Sequence, residues 1–183
     1  MRVITGYARG RKLGELQGKD TRPTTDKVKE ALFSIIQFDI EGRKALDLFA
    51  GTGQLGIEAL SRGAAEAVFV DLRKEAAALV RDNLKRTGLE DRAQVVQGDY
   101  LAYLTRCGRR FDLIFLDPPY GTGLLEKALE TVAAIDILSE NGIMVCESAS
   151  EAVLPQLPAP YEMGREHRYG KIKLTLYHRR VAE

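Results

Sequence analysis

Asp117, Pro118, Pro119 and Tyr120 follow directly on the apolar run 113–116, and side chains of these types in this order can do chemistry. A strand-like run that meets two prolines cannot continue as strand or helix, because each proline fixes φ and lacks a donor N–H. The chain must leave the sheet in a stiff loop. That loop offers a carboxylate and a backbone carbonyl whose directions are set in advance, and an aromatic face beside them. Such a set suits a planar group bearing an amino nitrogen: the two acceptors take its hydrogens and the ring stacks on it. The plainer reading is a rigid strand-exit turn.

Four further acids fall into line with Asp117. Asp47, Asp71, Asp99 and Glu147 each sit at or near the C-terminal end of a short apolar run. In a parallel sheet those ends share one edge, where open α/β folds bind ligands. One acid there is often only a helix cap, but five in register point to a site. The first run continues into a loop in which Gly51, Gly53 and Gly56 match G-x-G-x-x-G, and Asp71 follows after the next run. Glycines let a backbone turn tightly and approach a ligand, and the acid can accept from ribose hydroxyls. Asp47 immediately before the loop suits a cationic ligand better than a pyrophosphate, and Asp99 can reach an adenine amino group. A cofactor with an amino acid, a ribose and an adenine but no phosphate fits best, which is S-adenosylmethionine. Phe49 and Tyr100, beside these acids in sequence, complete the candidate cofactor set.

The elements that must position these residues alternate. Apolar runs at 45–49, 67–70, 95–96, 113–116 and 143–146 read as strands. Amphipathic stretches at 55–60, 75–86, 100–104 and 124–134 read as helices between them. Gly63 and Gly88 stand where helix C-caps belong. An earlier helix is expected to start at Thr24 or Thr25, with Asp26 at its positive end. Two strand-like pieces flank Tyr169-Gly170 and predict a terminal antiparallel hairpin. The pattern is that of one α/β domain over 1–183: a basic arm or hairpin over 1–22, then a catalytic core over 23–183.

Net charge over the 183 residues is only +1, yet residues 1–30 carry eight basic side chains against four acids. Arg2, Arg9, Arg11, Lys12 and Arg22 in this arm, and Arg165, Arg168, Lys171 and Lys173 in the terminal hairpin, suggest a phosphate-bearing partner. A solvated terminus is the plainer alternative. No apolar stretch approaches the ~20 residues that span a bilayer. The first residues lack the apolar core of a secretory signal, and Cys107 and Cys146 form no disulfide or metal-ligand pattern. A cytoplasmic protein with no metal is expected.

The motifs LDLFAGTG, FVD, QGD and FLDPPYG, in this order and spacing, resemble class I S-adenosylmethionine-dependent methyltransferases that act on amino groups. MRVITGYARGRKL, RPTTDKVKEALFSII, LDLFAGTGQLGIEALSRGA and DLIFLDPPYG together resemble the bacterial 16S rRNA guanine-N2 methyltransferase family, the RsmD type, over nearly the whole chain. The resemblance implies a Rossmann-like fold with a mostly parallel seven-stranded sheet, an antiparallel last strand and helices on both faces. It also implies a guanine of 16S rRNA as substrate, within a small-subunit ribosomal particle. RNA contacts then fall to the basic residues named above and to Thr24.

Two other enzyme classes compete. An NAD-dependent oxidoreductase accounts for the glycines and Asp71 but gives Asp117–Tyr120 no task. An adenine-N6 methyltransferase shares the Pro-Pro-Tyr chemistry, but when it acts on DNA it generally adds a target-recognition region for which this chain has no room. A non-catalytic RNA-binding module would keep the basic arm without needing a cofactor loop.

Overall fold

The computed structural model describes residues 1–18 and 25–181. Thr25 opens α1 (Asp26–Ile35): its side chain accepts from the Val28 amide at 3.3 Å, with Asp26 in the positively polarised first turn. The alternation that follows is β1 (Lys44–Asp47), α2 (Gln54–Ser61), β2 (Glu66–Asp71), α3 (Lys74–Thr87), β3 (Ala93–Gln97), α4 (Tyr100–Arg106), β4 (Phe111–Leu116), α5 (Leu124–Ile135) and β5 (Leu138–Ala149). The hairpin β6 (Tyr161–Tyr169) and β7 (Ile172–Arg179) closes it. Gly88 ends α3 at φ 70°, its amide reaching the Leu84 and Lys85 carbonyls. β5 extends further in both directions than the apolar run 143–146 suggests, because hydrogen bonds to β4 and β7 carry it past its polar ends.

The strands form one sheet in the order β3-β2-β1-β4-β5-β7-β6, parallel except for β7, which runs antiparallel to both neighbours. Successive side chains on a strand point to opposite faces, so each strand feeds two cores. Ala45, Phe69, Leu113, Phe115 and Val145 pack on one face with Leu32, Phe33, Ile57 and Val80. Leu46, Val68, Ile114, Leu116 and Met144 pack on the other with Leu104, Ala128, Leu129 and Tyr177. The chain order reverses between β1 and β4, and a crevice forms outside the strand ends at such a point. No described helix is long and apolar enough to cross a membrane.

The basic arm is packed against the body. An antiparallel bridge pairs Arg2 with Lys12, and Val3, Ala8 and Leu13 are buried. Glu58 of α2 is fully buried and accepts the amides of Ile4 (2.9 Å) and Thr5 (3.0 Å) and the Arg62 Nε–H (3.0 Å). A Cβ on Gly6, at φ 90°, would stand 1.8 Å from the Ser61 carbonyl oxygen, so only glycine fits there. Lys29, one of the eight basic side chains of residues 1–30, is not a surface charge. It is fully buried, donates to the Arg2 carbonyl at 2.6 Å and lies 4.0 Å from Glu58. Burial pushes its ammonium pKa down, and Glu58 partly opposes that.

Candidate active site and cofactor cleft

The loop between β1 and α2 is held from several sides. The Leu48 amide donates to the Phe115 carbonyl (3.2 Å), Ala50 to Val70 (2.9 Å), and Gly53 to Ala50 (2.7 Å), closing the turn. Gly51 and Gly53 have φ of 58° and 81°, in the left-handed region that disfavours other residues. A Cβ on Gly51 would meet nothing within 4 Å, so open space lies in front of this turn. Gly56 has a different task. A Cβ there would come 2.4 Å from the Phe69 ring, so its glycine lets α2 settle on β2.

Asp71 ends β2 and braces the loop: its Oδ2 accepts from the Gly51 amide and its Oδ1 from the Arg73 amide, both at 2.9 Å. Each carboxylate oxygen has a second lone pair, so ribose hydroxyls can still be accepted. Asp99 caps α4, its Oδ2 taking the Leu101 and Ala102 amides at 3.1 Å. The rings of Phe49 and Tyr100 meet at 5.1 Å with a 44° tilt, joining the loop after β1 to the start of α4.

Asp47 was expected to face a cationic ligand, but its carboxylate is turned inward, 1% exposed, with Oδ2 accepting from the Gly56 amide at 3.1 Å. It thereby supplies the cap to α2 that Gly53 lacks. Burial pushes its pKa up to about 7; nearby Asp71 adds to the rise and the Gly56 N–H opposes it. Above the ordinary carboxylate value the folded protein thus holds a proton the unfolded chain has released. This contribution to stability is complete below about pH 4 and is lost as pH rises through about 7. Asp47→Asn keeps an acceptor for Gly56 and removes the titration. Its melting temperature relative to the parent is expected to rise from pH 5 to about pH 7 in thermal scans and to level off above that; a constant difference would contradict the assignment.

Across the switch point, Asp117 follows β4 and Glu147 lies near the end of β5, one step beyond the pair Leu116–Cys146. Glu147 is 4% exposed, and its Oε1 accepts from the Tyr120 hydroxyl at 2.7 Å. Pro118 is buried and Pro119 exposed. The Thr122 hydroxyl donates to the Pro119 carbonyl at 2.8 Å, whereas no donor reaches the Pro118 carbonyl among the described residues. A pocket of about 50 Å³ opens here, lined among others by Pro118, Tyr120, Gly123, Glu126, Glu147 and Ser148. Glu147 stood in the sequence's row of acids but not among its candidate catalytic residues. The missing signal was its hydrogen bond to Tyr120, 27 positions away.

Of the basic residues, Arg2, Arg9, Arg11, Lys12, Arg165, Arg168 and Lys171 are exposed. Arg11 donates to the Arg86 carbonyl (2.9 Å), Arg2 lies 3.8 Å from Asp26, and Arg168 lies 3.4 Å from Glu166. Lys173 is not available to an RNA: it is 2% exposed and donates to Glu166 (3.2 Å) and to the Ala152 carbonyl. Arg22 and Thr24 lie outside the described residues. No group of His, Cys, Asp and Glu fit to hold a metal occurs among the described residues.

An open cradle at Gly51, a braced acid at the end of β2, a paired aromatic wall and this strand order define a class I S-adenosylmethionine-dependent methyltransferase. The chain belongs to the RsmD-type family, whose model, described as "Conserved hypothetical protein 95", matches residues 1–178. It is 42% identical over 183 residues to "Putative rRNA methyltransferase YlbH" of Bacillus subtilis, covering 98% of this chain and 100% of that one. It is 36% identical to "Ribosomal RNA small subunit methyltransferase D" of Escherichia coli K12, covering 98% and 90%. The solved structure of "Putative methyltransferase yhhF from Escherichia coli" superposes with a TM-score of 0.89 at 34% identity, covering 98% of each chain.

Proposed function

We propose that the protein transfers the methyl group of S-adenosylmethionine to the exocyclic N2 amino group of a guanine in small-subunit ribosomal RNA, within a cytoplasmic ribosomal particle. The observation that carries this reading is the loop Asp117–Tyr120 at the sheet's switch point, beside the cofactor cleft. The names of the relatives favour ribosomal RNA as substrate, and the amino-group acceptors of the loop favour an exocyclic nitrogen.

The cofactor supplies a methyl already activated by its positive sulfur. What remains for the chain is alignment. An exocyclic amino group is a poor nucleophile because its lone pair is delocalised into the ring. The Asp117 carboxylate and the Pro118 carbonyl each accept one amino hydrogen, which favours a pyramidal nitrogen with its lone pair turned toward the methyl. Tyr120, its hydroxyl fastened to Glu147, offers a ring of fixed direction for the base, which must leave its stack to enter. Gly51, Gly53, Asp71, Asp99, Phe49 and Tyr100 hold the cofactor, while Asp47 holds the loop from behind. The exposed cations of the arm and of the β6–β7 hairpin hold phosphates.

Mass mapping of methylated nucleosides in ribosomal RNA from a strain lacking this gene, against its parent, tests the assignment: one N2-methylguanosine should disappear from the small subunit. For the cofactor cleft, Asp71→Ala is expected to weaken S-adenosylmethionine binding by roughly 1–3 kcal/mol in calorimetry, through loss of a charged acceptor and of the brace on Gly51. Unchanged affinity would remove Asp71 from the site.

A further inference from the structure

We propose that Glu147 reads the target base, its carboxylate accepting the N1–H of guanine while Asp117 and Pro118 hold the N2 amino group. This inference rests on the guanine-N2 reading above. β4 and β5 are neighbouring parallel strands in register at Leu116–Cys146, so the residues that follow this pair, Asp117 and Glu147, lie at the same level. Strands stand about 4.8 Å apart, which brings the start of the Asp117–Tyr120 loop next to Glu147. Glu147 is 4% exposed yet lines the pocket that Pro118 and Tyr120 also line. The Tyr120 hydroxyl donates to its Oε1 at 2.7 Å and helps fix the direction of that carboxylate.

Two carboxylates set next to each other call for a ligand with two adjacent donors. Guanine is the only standard base whose pairing edge provides this, as N1–H beside N2–H₂. Adenine and cytosine set an acceptor beside their amino group, and uracil flanks its single donor with acceptors. An extruded base is read on that edge. The pair therefore selects guanine and rejects adenine, which would set its N1 lone pair against a carboxylate.

The test uses small-subunit particles reconstituted with guanine or 2-aminopurine at the mapped position. 2-Aminopurine keeps the N2 amino group but carries an acceptor at N1. The wild-type protein is expected to methylate it about 100-fold less efficiently than guanine, since a site built around a hydrogen-bond donor rejects an analogue lacking it. Glu147→Gln keeps the shape and the acceptor for Tyr120, and its amide can donate to N1. This variant should lose about 10- to 100-fold in kcat/KM on guanine and raise the 2-aminopurine-to-guanine ratio at least about tenfold, with cofactor affinity unchanged. Equal wild-type rates on both bases would overturn the proposal without any variant, and so would an unchanged ratio in Glu147→Gln. Absence of N2-methylguanosine from wild-type reactions would instead defeat the guanine-N2 reading itself.

Discussion

Asp117→Ala is expected to bind S-adenosylmethionine with the parent's affinity and to turn over about 10²–10³-fold more slowly, the usual effect of deleting one preorganised polar partner of a transition state. The cofactor cradle does not depend on this side chain: the glycine loop is braced by Asp71 and Asp47, and Asp117 lies in the loop after the neighbouring strand β4. Binding and turnover should therefore separate, which isothermal calorimetry and single-turnover methyl transfer would measure on one preparation. The same mechanism requires a nitrogen with hydrogens to donate. Inosine at the target position lacks the 2-amino group and should accept no methyl. A fully active Asp117→Ala protein, or methyl transfer to inosine, would defeat the mechanism.

The second large effect concerns the arm. Glu58 is buried among two arm amides, the Arg62 guanidinium and the Lys29 ammonium, so Glu58→Ala strands a buried cation and two backbone donors at once. Removing one partner of a buried pair costs about 3–5 kcal/mol, and the loss should appear as a lower urea midpoint. A change under about 1 kcal/mol would mean that the arm is held by its apolar packing alone. The exposed cations behave differently. Arg9→Ala with Lys12→Ala should leave the urea midpoint unaltered, weaken RNA binding and lower its salt slope by about two, one for each phosphate left without its cation. Truncating the arm cannot separate these roles, because it would also uncover Glu58 and Ser61, both buried beneath it.

Much of this was legible from local pattern. Thr25, Gly88 and the apolar runs place helices and strands through short-range rules, and the row of acids followed from the strand ends. What the pattern could not give is what each carboxylate faces. Asp47 and Asp99 stand at strand ends as expected, but the Gly56 amide engages one and the first turn of α4 engages the other. A strand-end acid has the same sequence context whether it meets a ligand or a backbone amide. Lys29 and Lys173 misled for a related reason. A lysine reads as solvated until its partner is seen, and Lys29 finds Glu58 on a different helix while Lys173 finds Glu166 across the hairpin.

The place of β7 has a consequence for how the molecule is made. This strand comes last of the seven in the chain, yet it lies inside the sheet, between β5 and β6. A ribosome delivers the other six strands first, and until residues 172–179 emerge β5 has an unpaired outer side, including the backbone on both sides of Glu147. The pocket beside Glu147 therefore acquires its supporting wall near the end of synthesis. A nascent chain can bring β1 and its glycine loop together well before then, so the ability to hold a cofactor should arise earlier in the protein's life than the ability to select a base.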